Sequence, residues 1–283
     1  MRSIACESDD SGWRRPRVRF AWLLVLACVT GVAVFDAQAV EGITGDHRLI
    51  RQFVDDAAIV RAGWLEASAD YARVDGGRDY QGNLILAFRL GKEWETGVIA
   101  SMLDRSRDAG ARQFGETLTE PIGGTGLGDA RVYAKYRLLR TPVEMSLGAM
   151  SSVPLGDEDK GRGSGSRDYG AFVGLRTGFR QASLVLTTGI TAHGDAEGVI
   201  DAPGQTSLRA GVGLLVPLSI IWTFLAEAGY QQASYEGGDP DGRAMIGVDW
   251  RPTENTVFRG GLEAGLTAGA PDRSAVVSVS FHF

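Results

Sequence analysis

The residues of this 283-residue chain that could do chemistry are few and scattered. Three histidines, His47, His193 and His282, lie near the start, beyond the middle and at the end. In the strand pattern set out below they fall in an N-terminal lead, an outer loop and the last strand end, so no two can share a metal. His282 has the same strand parity as Ser280 and Ser278, which invites a Ser–His hydrolase reading. A nucleophile needs its base in reach and a third group to orient it, and alternate positions of an amphipathic strand are polar in any case. No catalytic residue and no cofactor is therefore assigned. The run Gly124-Thr125-Gly126-Leu127-Gly128 looks like a phosphate loop, but the glycine spacing is wrong and a strand follows where a helix N-terminus is needed. It is expected to be a loop-to-strand turn. Asp157, Glu158, Asp159 and Asp168, and Asp239 with Asp241, read as solvated acidic loop tips without the ligand order of a calcium loop.

A different set of charges carries more information. Arg131, Lys135, Arg209, Arg243 and Arg259 fall on one parity of their segments, as do Glu66, Glu95, Glu227, Asp249 and Glu263. The opposite parity is apolar. In residues 129–139, Ala130, Val132, Ala134, Tyr136 and Leu138 alternate with Asp129, Arg131, Tyr133, Lys135 and Arg137. Period-two alternation of this kind recurs in twelve segments of about ten residues from Trp64 to Phe283, the length a tilted strand needs to cross a bilayer. The connections also alternate. Residues 91–93, 139–142, 177–180, 217–221 and 251–255 are tight turns. Residues 74–80, 103–128, 154–168, 193–205, 232–242 and 267–272 are longer and polar. A soluble sandwich has no reason to alternate its loops, whereas a membrane barrel has short inner turns and longer outer loops. The fold class is thus all-β, a closed antiparallel transmembrane barrel of about 12 strands with up-and-down topology. Residues 210–226 carry no charge, but Pro217 in their middle favours a hairpin over a membrane helix.

Composition agrees. Mean hydropathy is −0.06, too polar for helical spans and suited to strands with one lipid face and one wet face. The net charge is −6, and no basic stripe is present, which excludes nucleic acid as a partner. Arg14, Arg15, Arg17 and Arg19, an apolar run from Phe20 to Phe35, and Ala37-Gln38-Ala39 form a secretory signal. Two other readings stand beside it: an uncleaved anchor, and lipidation at Cys28 after Val25-Leu26-Ala27. Residues 1–39 are then signal peptide, 40–63 a periplasmic lead with one helical turn near residues 53–60, and 64–283 the barrel. Both cysteines, Cys6 and Cys28, fall within the signal, so the mature chain forms no disulfide. Trp64, Tyr71, Trp94, Tyr136, Tyr169, Trp222, Tyr230, Trp250 and Phe283 stand near strand ends, as interfacial girdles require.

Gly126-Leu127-Gly128-Asp129 with Ala134-Lys135-Tyr136-Arg137, and Arg251-Pro252-Thr253 with Arg259-Gly260-Gly261, Gly265-Leu266-Thr267 and Ala270-Pro271-Asp272, resemble the outer-membrane proteins of the MetA-pathway phenol-degradation family. That resemblance implies a transporter-like barrel in the bacterial outer membrane with an aromatic or other small hydrophobic solute as its partner, and it brings no catalytic residues. The final Phe283, with Phe281, Val279 and Val277, resembles the C-terminal signal read by the outer-membrane assembly machinery. Lipid is the remaining partner. The residues expected to line the lumen are Arg131, Lys135, Arg209, Glu227, Arg243 and Glu263. Inward glycines, among them Gly97, Gly148, Gly174, Gly211, Gly213, Gly229, Gly247 and Gly265, are read as favouring open volume or serving strand curvature. Three functions compete: passive uptake of small compounds, a plugged structural or loop-binding barrel, and a lipid-acting enzyme. Cleavage is expected after Ala39, so N-terminal sequencing of the membrane-extracted protein should read Val40-Glu41-Gly42. A chain starting at an acylated Cys28 would refute it.

Overall fold

The computed structural model describes residues 47–74, 76–113, 116–179, 181–196 and 202–283. The signal peptide, Cys6, Cys28 and the cleavage site fall outside the described residues. Fifteen strands follow in order: β1 Gly63–Val74, β2 Gly77–Leu90, β3 Trp94–Arg107, β4 Arg112–Gln113, β5 Glu116–Thr117, β6 Ile122–Leu127, β7 Ala130–Leu139, β8 Val143–Val153, β9 Tyr169–Phe179, β10 Ala182–Ala192, β11 Thr206–Pro217, β12 Trp222–Gln231, β13 Asp241–Thr253, β14 Thr256–Gly265 and β15 Arg273–His282. Each of β1–β3 and β7–β15 pairs antiparallel with its neighbours, and β1 pairs with β15, so twelve strands close into a barrel and leave no edge in lipid. Among the described residues the only helix is a 3-10 turn at Glu158–Lys160.

The Gly124–Gly128 run is not the loop-to-strand turn expected of it. Most of it lies in β6, which pairs with the outer end of β3 from Met102↔Leu127 to Arg107↔Ile122. Nor do residues 74–80 form a long outer loop. β1 ends at Val74 and β2 starts at Gly77, with Gly76 at φ 66° making the turn. The polar residues that suggested a loop pair across strands instead: Arg107 donates to Asp79 at 2.6 Å, and the Tyr71 and Tyr80 rings lie 5.1 Å apart. On the inner rim, Glu93 in the β2–β3 turn accepts hydrogen bonds from Arg140 and Arg137, which hold its carboxyl down at about 2.

Parity sets the two faces. Leu84, Val98, Val132, Leu147, Leu186, Ile246, Leu262 and Val277 point outward and are exposed. Below them runs an aromatic ring in which Trp94 meets Tyr136 at 4.9 Å and Trp250 meets Phe258 at 5.3 Å. Trp64, grouped by position with the girdle, is buried inside the barrel instead, stacked on His282 at 4.2 Å. Phe281 and Phe283 are exposed, and the Phe283 ring meets Phe88 edge-on at 6.0 Å. The Phe283 carbonyl accepts from Gly63 N at 2.6 Å, which joins the last residue to the first strand.

The largest departure concerns the lead. Residues 40–63 were expected in the periplasm, but the described part, residues 47–62, lies within the barrel. Leu49 packs with Val185 and Leu215, Ile50 against Leu225, Met245 and Val276, and Phe53 and Val60 with Ile85, Ile99 and Tyr133. Apolar lead residues reach a lumen that parity alone made polar.

Leu262, 65% exposed in mid-β14, tests the face assignment. Leu262→Arg should destabilise the barrel by about 2–4 kcal/mol in urea titrations of lipid-refolded protein. An unchanged midpoint would show that this face does not meet lipid.

Candidate functional site

The site is the lumen, and its chemistry begins with the charges that strand parity turns inward. At the inner half the lead meets them one by one. Arg48 donates both Nη atoms to Glu95, at 2.9 and 2.6 Å. Glu95 also accepts from the backbone N of Val60 at 2.7 Å and from Tyr133 Oη at 2.9 Å, and Lys135 Nζ lies 3.3 Å from it. Lys135 donates onward to the carbonyls of Asp56 at 2.8 Å and Val54 at 3.3 Å. Asp56 caps the turn through Leu49 N and Ala58 N, and Arg176 reaches its carboxylate at 3.3 Å. His47 Nδ1 pairs with Asp249 at 2.8 Å, and Arg259 Nε donates to the same carboxylate at 3.0 Å. A buried charge without such partners would be very costly, and truncating one partner of a buried pair costs roughly 3–5 kcal/mol.

Glycine makes the seat. A Cβ on Gly213 would overlap Leu49, one on Gly211 would overlap Gln52, and one on Gly174 would meet the backbone of Asp55 and Ala57. Gly97 and Gly148 make room for Tyr133 and Phe172. These inward glycines were read as favouring open volume or serving strand curvature; the lead and two aromatic rings fill the space at these five. No helix forms over residues 53–60; a single helical-type turn closes slightly earlier, at residues 52–56. The segment forms hydrogen-bonded turns, with Asp56 N donating to Gln52 O at 3.0 Å.

Above the lead the outer half of the lumen keeps a cavity of about 460 Å³. Of the six residues expected to line the lumen, Arg131, Arg209, Glu227, Arg243 and Glu263 reach this cavity. Lys135 does not, being fully buried beneath the lead. Arg209 makes a two-pronged pair with Asp55 at 2.8 and 3.0 Å. Glu227 accepts from the backbone N of Ile50 at 2.5 Å and of Arg51 at 3.1 Å. Glu263 takes Arg51 Nε at 2.9 Å and Arg243 Nη1 at 3.3 Å. The Arg131 side chain makes no hydrogen bond or ion pair among the described residues.

The lead contacts His47, Arg48, Arg51, Asp55 and Asp56 were missed in the sequence. The signal was there: residues 47–56 alternate charge with Leu49, Ile50, Phe53 and Val54, a pattern that an unattached lead does not need. The remaining candidates resolve more simply. Among the described residues the Ser278 and Ser280 hydroxyls have no hydrogen-bond partner. Asp157 caps the 3-10 turn and pairs with Arg162 at 2.8 Å, and Asp241 pairs with Arg243. Asp168 and His193 meet at 3.2 Å on the cavity wall. No group of three or more metal-ligating side chains occurs among the described residues.

The chain matches no family model and no curated protein. Solved structures do resemble it. An outer-membrane channel from Pseudomonas putida F1 superposes with a TM-score of 0.61 over 81% of this chain and 98% of that one, at 11% identity. The NanC porin gives 0.54 over 77% and 100%, at 12% identity. The KdgM porin gives 0.51 over 78% and 99%, at 11% identity. At such identities the likeness establishes the fold. The closed twelve-stranded wall and its apolar outer face are those of a membrane-spanning β-barrel, the fold these neighbours share.

Filling the seat should displace the lead. Gly213→Leu puts a side chain where Leu49 packs, and overpacking of this kind costs about 1–3 kcal/mol. The barrel should keep its heat-modifiable gel mobility while trypsin gains access to Arg48 and Arg51. Protection equal to wild type would mean that the lead does not need this glycine.

Proposed function

We propose that the barrel is an outer-membrane channel for passive uptake of small solutes, with the N-terminal lead as its constriction. The observation that carries this reading is the cavity of about 460 Å³ above the lead, which lies in the size range of small-molecule sites. Twelve strands enclose a bore between the filled eight-stranded and the porin-sized barrels, so a short segment is enough to narrow it. Charged side chains on the wall of such a path set which ions pass. The apolar side chains Ile85, Ile99, Tyr133 and Met150 in the same cavity would receive the aromatic or hydrophobic part of a cargo, the class to which the phenol-degradation resemblance also points. Phe281 and Phe283, exposed at the inner rim, are proposed to engage the assembly machinery before insertion.

Planar-bilayer recording of the refolded mature chain tests the channel. Wild type should show small unitary currents. Arg48→Ala removes the two-pronged bond to Glu95 and leaves Lys135 to neutralise that carboxylate, so the lead loosens and conductance rises. Arg131→Glu should shift selectivity towards cations. Lys135→Glu is different in kind, because it places a second carboxylate beside Glu95 and should disturb lead docking as well. Background current from wild type and Arg48→Ala alike, with normal gel mobility, would remove the channel and leave a loop-binding barrel.

A further inference from the structure

Resting on that solute path, we infer that the outer cavity binds a small monocarboxylate with an apolar body, its carboxylate on Arg131. The cavity holds four arginines besides the histidine. Arg209 is committed to Asp55, Arg51 to Glu263 and Asp70, and Arg243 to Asp241 and Glu263. Arg131 alone keeps its guanidinium fork for a ligand, among the described residues. That fork matches a carboxylate with two parallel hydrogen bonds, a geometry that an ammonium cannot offer.

The acids nearby do not compete for it. Both oxygens of Asp55 are held by Arg209. Asp168 uses one oxygen for Gly194 N at 3.3 Å and the other for His193 Nδ1 at 3.2 Å, while His193 Nε2 meets Ser207 at 2.8 Å. The far wall carries Asp70, Glu227, Asp241 and Glu263 against Arg51 and Arg243, an excess of acid. A carboxylate entering from outside is therefore repelled from β12–β15 and β1 and drawn to β7.

The body of the ligand follows from the same register. Ile99 stands opposite Arg131 in the β3–β7 pairing, and Ser152 opposes it on β8. Ile85, Ile99 and Tyr133 belong to one apolar cluster, and Met150 and Val54 pack against it. All five residues line the cavity, so an apolar surface lies beside the unpaired guanidinium. A benzene-sized acid would use both. A neutral alcohol of the same shape would use only the apolar part.

The test is equilibrium binding to the full mature barrel in detergent micelles, by calorimetry, with sodium benzoate and benzyl alcohol as probes. Wild type should bind benzoate more tightly than benzyl alcohol. Arg131→Gln should weaken benzoate about tenfold, the order set by one charge-assisted hydrogen bond. It should leave benzyl alcohol unchanged, and Arg131→Lys should restore part of the loss. Equal binding of the two probes to wild type overturns the inference without any variant, and benzoate binding indifferent to Arg131→Gln in a heat-modifiable barrel overturns it too. Conductance in chloride is read separately. A barrel that binds benzoate through Arg131 but carries no current keeps this inference and sinks the channel; a conducting barrel without Arg131-dependent binding does the reverse.

Discussion

Glu95 is a fully buried carboxylate, and most of the inner lumen is arranged to satisfy it. Strand parity fixes its direction, since the residues on either side of it in β3 face lipid or the girdle. Once inside, the charge needs partners in a region that water scarcely reaches. Tyr133 and Lys135 come from the neighbouring strand, where Lys135 sits opposite Glu95 in register. They do not suffice, because Lys135 has its own donors to place. Arg48 and the Val60 amide complete the shell, and both belong to the lead. The lead is thus held as a partner that the wall requires, and its own carbonyls at Val54 and Asp56 take the donors of Lys135 in return. Wall and lead each leave buried polar groups that the other satisfies.

The same reasoning explains why the lumen is filled at one end and spacious at the other. Of the inward glycines that seat the lead, Gly174 stands opposite Thr187 and Ser146, Gly211 opposite Thr187 and Gly229, and Gly213 opposite Val185 and Glu227. Wall and lead together make a dry layer there. Toward the outside the wall turns to Arg131, Asp168, His193, Arg209 and Arg243, polar side chains that line the open cavity. A wet cavity tolerates a guanidinium without an ion pair, and a dry one does not. Arg131 and Arg48 thus differ in pairing because they differ in depth, although both face inward.

How much of this was legible depends on what a one-dimensional pattern can encode. Alternation told which face each residue takes, because the period of a strand is two whatever surrounds it. So the twelve strands, the lipid-facing leucines and the inward charges could be read. Alternation does not say what fills the inward side. Gly213 looks the same whether it opens a pore or seats Leu49, and the lead has no period of its own to announce where it goes. Trp64 was misassigned because strand-end position and face are separate properties, and position alone was used. Residues 74–80 looked like a loop because Arg78, Asp79 and Gly76 are turn-like in composition. The partners of Asp79, Arg105 and Arg107, lie on the next strand, beyond the reach of local reading.

The attachment of the lead is graded, and that grading decides how a path could open. At its lower end Arg48 is 1% exposed against a carboxylate that is fully buried. At its upper end Arg51 is 27% exposed and faces Asp70 and Glu263 across the cavity. Water reaches the Arg51 guanidinium, although its partners Asp70 and Glu263 are themselves 10% and 3% exposed, whereas parting the lower pair strands both charges in a dry layer. The Arg51 side chain is thus the part of the lead nearest water, while its backbone amide and that of Ile50 stay held by the buried Glu227. Loosening the lead also exposes Leu49, Phe53 or Val60, whose apolar partners sit on different strands, so no single hinge releases the segment. A solute entering the proposed path would meet the Arg51 side chain first. In the proposed channel, a lead held in this way would yield first at the Arg51 side chain while Arg48 and Glu95 keep it tethered.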